Sequence, residues 1–142
     1  MAEYVPSPIE WAAKQVDLYE SSNGREGTTL RGMPVVLVTH RGRHTGAIRK
    51  TPLMRVADGD RYVIIASMGG QPKHPVWYYN LIANPDITLR DGEKVIEMRA
   101  RLVEEPVERA RLWALAVAAY PDYAAYQERT TRIIPVFSIE PR

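Results

Sequence analysis

The chain has 142 residues, 45% apolar and 25% charged, a balance that fits one folded domain and excludes a disordered tail, a collagenous repeat or a coiled-coil rod. It has no cysteine, so a disulfide framework, thiolate zinc, an iron–sulfur cluster and a cysteine nucleophile are all excluded. Net charge is only +2, yet Arg25 to Arg55 carries seven cations against one acid, and the remainder twelve cations against sixteen acids. One stretch is thus suited to meeting anions. Eight Tyr accompany a single Phe, which implies phenolic hydroxyls with partners to reach.

In chain order, Ser7-Pro8-Ile9-Glu10 predicts a helix start, with Ser as N-cap, Pro at the first position and Glu closing a capping box. Ile9, Ala12, Val16 and Tyr19 follow at helical spacing, and Ser21-Ser22-Asn23-Gly24 ends the helix. This element reads as a helix packed on the core or, alternatively, as a lid or membrane-surface helix. A β-branched run, Pro34 to His40, predicts a strand, and a second strand follows over Ala47 to Ala57. Asp58-Gly59 marks a hairpin into Arg61 to Ser67. Pro75 to Ala83 predicts a short helix, and a second hairpin pairs Ile87–Arg90 with Glu93–Val103. Pro106 to Tyr120 predicts a strong helix whose nearly all-apolar second half should be buried, with Glu104-Glu105 offsetting its dipole. Asp122 caps a short helix carrying Tyr123 and Tyr126, and Ile133 to Ile139 is the last strand. Six hairpin-linked strands with outlying helices predict an α+β domain built on a mostly antiparallel barrel.

Glu3, Glu10, Lys14 and Asp17 interrupt any apolar leader. The longest uncharged apolar run, Trp113 to Tyr120, is far below the roughly 20 residues of a membrane span, so a cytoplasmic chain is expected.

Three segments carry candidate chemistry. Arg41-Gly42-Arg43-His44-Thr45-Gly46, with Arg49 and Lys50 beyond, combines a glycine turn with forked donors and suits phosphate or carboxylates; no acid lies nearby in sequence. Ser67-Met68-Gly69-Gly70 and Lys73 lead into a helix start bearing Val76 and Trp77, a combination able to clamp a planar ring with polar edges. Tyr120, Tyr123 and Tyr126 recur every third residue and bring their phenols to one side of a pocket. There is no metal-ligand pattern, nucleophile elbow, P-loop or dinucleotide fingerprint, so the reactivity has to come from a bound cofactor.

The stretch THRGRHTGAIRKTPLMRVADGDRYVIIASMGGQPKHPVWYYNLIANP, followed by YPDYAAYQERTTRIIPV, strongly resembles the deazaflavin-dependent nitroreductase and quinone reductase family of actinobacteria. The likeness covers about residues 30 to 142, behind an N-terminal helix and linker over 1–29. It implies a split β-barrel similar to those that bind flavin mononucleotide, and an oxidoreductase that uses reduced coenzyme F420, an 8-hydroxy-5-deazaflavin with a phosphate- and glutamate-bearing tail. Hydride would pass from this cofactor to a quinone, and in some members to nitroimidazoles.

By that resemblance Arg43, His44, Thr45 and Arg49 hold the anionic tail, and Gly46 and Lys73 are also cofactor-binding residues. Thr51, Pro52 and Leu53 run along the ring edge; Ser67, Met68, Gly69 and Gly70 contact ring and tail; Val76 and Trp77 support the ring. Tyr120, Tyr123 and Tyr126 are the substrate-side residues, with Tyr126 the one linked to substrate orientation. Tyr78 and Tyr79 fall within the same ring-bordering motifs, whereas Tyr4, Tyr19 and Tyr62 need only half-buried packing. The chain departs from the family with His44 and Met68 in place of Lys, Val76 in place of Met and Met54 in place of a strand Tyr. The competing readings are a flavin mononucleotide enzyme on the same barrel and a non-enzymatic anion- or nucleic-acid-binding module. The second is disfavoured because the basic residues gather at one turn rather than along a stripe. The sequence sets no oligomeric state.

Overall fold

The computed structural model describes residues 2–142. Its elements are α1 (Glu10–Ser21), β1 (Thr29–Leu30), β2 (Met33–Arg41), β3 (Ile48–Met54), β4 (Ala57–Asp58), β5 (Arg61–Ile65), α2 (Val76–Ala83), β6 (Asp86–Asp91), β7 (Lys94–Leu102), α3 (Pro106–Ala119), α4 (Asp122–Glu128) and β8 (Val136–Pro141). The strands form one antiparallel sheet in the order β1-β2-β6-β7-β8-β5-β4, with β3 on the other side of β2. The expected α+β half-barrel is therefore present, with two short strands added to the predicted six.

The strands alternate as their side-chain period of two requires. Val36 and Val38 of β2 and Tyr62 and Ile64 of β5 point into the barrel, where they meet Leu89, Met98, Phe137 and Ile139. Their neighbours point outward: Val35 and Leu37 pack against Val16 and Tyr19 of α1, and Val63 and Ile65 against Leu112 and Ala116 of α3. Because β2 and β5 are covered on both faces, they read as continuous apolar runs in the sequence.

Several boundaries move. Helix α1 begins at Glu10, and Ser7 is not its N-cap: Ser7 Oγ accepts from the Ile9 amide while Ile9 occupies the cap position without a side-chain bond. The predicted Ala47–Ala57 strand is split by Arg55 and Val56 into β3 and β4. Asp122 is the first residue of α4 rather than its cap, and β8 starts at Val136, leaving Ile133 73% exposed. The second half of α3 is not buried all round; Ala114 and Ala118 face outward and only one face meets the sheet. Glu105, by contrast, caps α3 through its carboxylate, accepting from the Val107 and Glu108 amides.

Two tyrosines first assigned to plain packing hold specific bonds. Tyr19 is fully buried; its hydroxyl donates to the Val35 carbonyl at 3.1 Å and accepts from the Gly92 amide at 2.7 Å, which ties α1 to β2 and to the β6–β7 turn. Tyr62 donates to Asp91 Oδ2 at 2.6 Å, and Asp91 is also bound by Arg55. A phenylalanine at position 19 would take the hydroxyl partner from the buried Val35 carbonyl and the half-buried Gly92 N–H. Tyr19→Phe is expected to lower unfolding free energy by about 1–3 kcal/mol, read as a lower urea midpoint at unchanged m-value.

Candidate active site

Strand β3 pairs only with β2, along Val35↔Met54 to Arg41↔Ile48, so its other edge is free. Only the start of that edge is covered, by bonds between Ile48 and the Glu3–Val5 segment. Pro52 sits in this edge strand, where the missing N–H costs no ladder bond. Beyond the edge, along the unzipped side of the barrel facing β5, opens a cavity of about 920 Å³. It is lined by Thr51, Pro52, Leu53 and Met54 from β3, Ile65 and the Ser67–Gly69 loop after β5, and Pro75, Val76, Trp77 and Asn80 from α2. Arg43, His44, Thr45 and Arg49 close one end; Met54 at the far end of β3 packs with the cluster containing Tyr120 and Tyr123.

Most residues predicted for the site thus meet in one space. Gly46, Gly70 and Lys73 do not line it. Gly46 shapes the β2–β3 turn, donating from its amide to the Gly42 carbonyl, and Lys73 is exposed on the loop before α2. Gly70 lies behind the loop with φ of 81°, and a Cβ there would come within 2.7 Å of the Tyr126 carbonyl oxygen. Tyr78 and Tyr79 also lie outside the cavity: Tyr78 packs on His74 and Phe137, and Tyr79 lies under the Arg43 guanidinium at 4.6 Å.

The charge pattern is one-sided. Arg31, Arg43, Arg49 and Lys50 line the cavity and no Asp or Glu does. Contrary to expectation, one of the basic residues is neutralised: Glu20 of α1 binds Lys50 Nζ through both carboxylate oxygens, at 2.7 and 2.8 Å. Arg25 and Arg55 are likewise paired, with Glu93 and Asp91. Among the described residues, Arg31, Arg41, Arg43 and Arg49 have no acidic partner.

Sequence reasoning missed four residues that organise this space. Asn80, 5% exposed, accepts the Arg43 amide on Oδ1 at 2.9 Å, so its Nδ2 faces His40 Nδ1 as a donor. Burial, reinforced by Arg49, pushes the His40 pKa down to about 4, which leaves the ring neutral. The remaining ring proton therefore sits on Nε2 and is donated to Thr51 Oγ1 at 3.0 Å, freeing the Thr51 hydroxyl to donate elsewhere. Arg132 clamps the Ser67 loop, donating to the carbonyls of Ala66, Ser67 and Gln71. Arg31 reaches the tyrosines: its Nη1 lies 3.2 Å from Tyr120 Oη and 3.4 Å from Tyr126 Oη. Only Arg31 left a readable signal. Arg31-Gly32 is a two-residue hairpin loop with φ of 53° and 77°, and arginine is a strained choice where Asn, Asp or Gly is usual.

The three tyrosine rings pack with centroids 5.0 to 6.2 Å apart, and the Tyr120 and Tyr126 hydroxyls are 2.9 Å apart. Burial pushes the Tyr120 pKa up to about 12, with help from Tyr126, and burial raises that of Tyr123 further. Both phenols stay protonated at neutral pH.

The fold is that of a split β-barrel domain, with its cleft along the open edge. Fold-level similarity extends to an FAD-binding protein from Mesorhizobium loti (TM-score 0.52, 13% identity, covering 81% of this chain and 83% of that one), which shows the shared fold alone. The family model described as F420H(2)-dependent quinone reductase matches residues 11–141. An F420H(2)-dependent quinone reductase of Mycobacterium tuberculosis is 41% identical over 122 residues, covering 84% of this chain and 82% of the relative. A solved F420-H2 dependent reductase is 50% identical with a TM-score of 0.71, covering 75% of this chain and 94% of that one. The chain belongs to the F420H(2)-dependent quinone reductase family, whose hydride donor is reduced coenzyme F420.

Two outcomes follow from this geometry. Gly70→Ala forces a left-handed alanine against the Tyr126 backbone; the conformation alone costs about 1–2 kcal/mol, and the variant should melt several degrees lower by calorimetry. His40 has its folded pKa below its unfolded value of about 6.5, so the unfolded chain binds the extra proton first. Stability is intact above about pH 6.5 and falls by up to about 1.4 kcal/mol per unit as pH drops towards 4. His74, lowered by burial and Arg132, adds in the same direction. Urea unfolding at pH 7 and 5 should show this loss, and His40→Gln should remove His40's share.

Proposed function

We propose that this chain transfers a hydride from reduced coenzyme F420 to a quinone, with the cofactor lying along the free edge of β3. One observation carries the reading: a single cavity has two unpaired arginines, Arg43 and Arg49, at one end, an apolar waist at Pro52, Leu53 and Trp77, and three phenols at the other, with no carboxylate in its lining. That donor set fits a tail of phosphate and glutamates joined to a planar ring. Arg43, His44, Thr45 and Arg49 hold the tail, while Gly46 shapes their turn. Thr51, Pro52 and Leu53 meet the ring edge, Ser67, Met68 and Gly69 the ring and its linker, and Val76 and Trp77 a ring face. When bound, the reduced deazaflavin supplies the hydride.

The protein contributes orientation and electrostatics. The His40–Asn80 pair fixes the Thr51 hydroxyl as a donor towards the cavity, and the apolar waist keeps water from the acceptor. Tyr120 and Tyr126, protonated at neutral pH where Tyr120 is concerned, present hydroxyl groups to the acceptor oxygen rather than a base. We place quinones ahead of nitroimidazoles as acceptors, because Met54 stands where relatives of the nitroreductase type carry a tyrosine.

No helix among the described residues is long and apolar enough to cross a membrane. We further propose peripheral contact with a bilayer from the cytoplasmic side. Ile9 and Trp11, each about half exposed, rim the cavity beside Val76, which is 76% exposed. A lipid-soluble quinone then enters along an apolar surface. Sedimentation with lipid vesicles should lose the protein from the pellet on Trp11→Ser, with coenzyme affinity unchanged.

The functional test is a fluorescence titration with F420 followed by a quinone assay in which oxidised-cofactor absorbance returns. Arg43→Ala or Arg49→Ala should weaken coenzyme binding about ten-fold or more, and high salt should weaken wild-type binding. Tyr126→Phe should lower kcat and leave the coenzyme Kd within about two-fold. Tighter binding of flavin mononucleotide than of F420 would overturn the assignment.

A further inference from the structure

We propose that Arg31, Tyr120 and Tyr126 form an oxyanion site for the acceptor, with Arg31 as a catalytic residue of the reaction. The proposal rests on the functional reading above and goes beyond it by naming the group that meets the acceptor's developing charge.

Arg31 stands in a left-handed conformation at the tip of the β1–β2 hairpin, where Asn or Gly relieves the strain, and it has no acidic partner among the described residues. Its side chain instead reaches across the cavity to two phenols 89 and 95 positions further along the chain. Hydrogen counting then fixes the polarity of the cluster. Arginine only donates, so its two Nη1 hydrogens go to the oxygens of Tyr120 and Tyr126. The phenols bond to each other at 2.9 Å, which uses one of their two hydrogens. One O–H is left over. Tyr120 is only 6% exposed and Tyr126 more open, so the structure assigns the free hydrogen to Tyr126. Among the described residues the Arg31 bonds both leave from Nη1, so the hydrogens on Nε and Nη2 are also available.

The other charged groups around the pair are Asp122, on the first turn of α4, whose carboxylate helps to hold Tyr120 protonated without a direct hydrogen bond to it, and Arg129, whose guanidinium lies 5.2 Å from the Tyr126 ring centroid. Neither lines the cavity, and Arg31 is the cation that does at this end. A quinone that gains a hydride and one proton becomes a hydroquinone. Between these events it is an anion with its charge on oxygen, and preorganised donors aimed at such an oxygen stabilise it. The one proton reaches that oxygen from solvent by way of the Tyr126 hydroxyl.

The test uses the cofactor-free protein and p-nitrophenol, whose phenolate absorbs in the visible and whose phenol does not. Titrations from about pH 5 to 9 should show a roughly ten-fold preference for the phenolate, a fall of about one unit in the apparent pKa of the bound probe. Arg31→Asn, which suits the left-handed turn and should keep or raise Tm, is expected to abolish this preference, and Arg31→Lys to keep part of it. Arg43→Ala, at the opposite end, should leave it intact. In the quinone assay Arg31→Asn should lower kcat at least ten-fold with unchanged F420 affinity. A preference absent in the wild type, retained in Arg31→Asn or lost in Arg43→Ala overturns the site. Coenzyme binding and quinone turnover without any phenolate preference leaves the functional reading standing and removes this one; a preference without coenzyme binding does the reverse.

Discussion

A buried line of polar groups running from the Arg43 amide through Asn80 and His40 to Thr51 holds the cleft in shape. It joins the basic turn, α2, β2 and β3, four pieces that no shared hydrophobic side chain could fix with the same directionality. The central link, from Asn80 Nδ2 to His40 Nδ1, depends on an uncharged imidazole. A protonated His40 would oppose Asn80 Nδ2 with a second donor and place a charge in a site 3% exposed, close to Arg49. The cationic end of the cavity thus helps to keep its own supporting histidine neutral, and coupling of this kind gives buried networks their specificity.

The second organising fact is how the cations are divided. Three cations of the Arg25–Arg55 stretch find acids, Arg25 with Glu93, Lys50 with Glu20 and Arg55 with Asp91, while Arg41, outside the cleft, has none among the described residues. Arg31, Arg43 and Arg49, which line it, find none. A protein optimised only for stability would offset such charges, and here they are left to a ligand. The two ends nonetheless differ in kind. Arg43 and Arg49 stand beside His44 and Thr45, Arg43 meeting only the ring face of Tyr79, whereas Arg31 is braced by two phenol oxygens.

Much of this was legible before any coordinates. The apolar runs of β2 and β5, the Asp-Gly turns and the Pro-started α3 depend on local rules, and they appear near their predicted places. The three segments that converge on the cavity were legible because glycine turns, clustered arginines and periodic tyrosines are local patterns too. The misses share one cause. Asn80, Arg132 and His40 act through partners far along the chain, and nothing in their own neighbourhoods distinguishes them from ordinary polar residues. Tyr19 and Tyr62 were undervalued for the same reason: their hydroxyls reach Gly92 and Asp91, on a turn about 70 and 30 residues away. Tyr78 and Tyr79 were overvalued because a motif does not reveal which face of a helix it turns to the cleft.

The close seat of Gly70 against the Tyr126 backbone has a further meaning when the cleft is considered as two half-sites. The Ser67 loop, which would touch the cofactor, and α4, which bears the phenol proposed for the acceptor, are in direct backbone contact, and Arg129, just past the end of α4, adds a bond to the Gly69 carbonyl. Free energies of binding at two such places are linked reciprocally: whatever one ligand gains by settling the loop, the other gains in equal measure through the helix. On the function proposed above, the two half-sites would form one thermodynamic unit, and a substitution at their seam would alter the dialogue between cofactor and acceptor while touching neither.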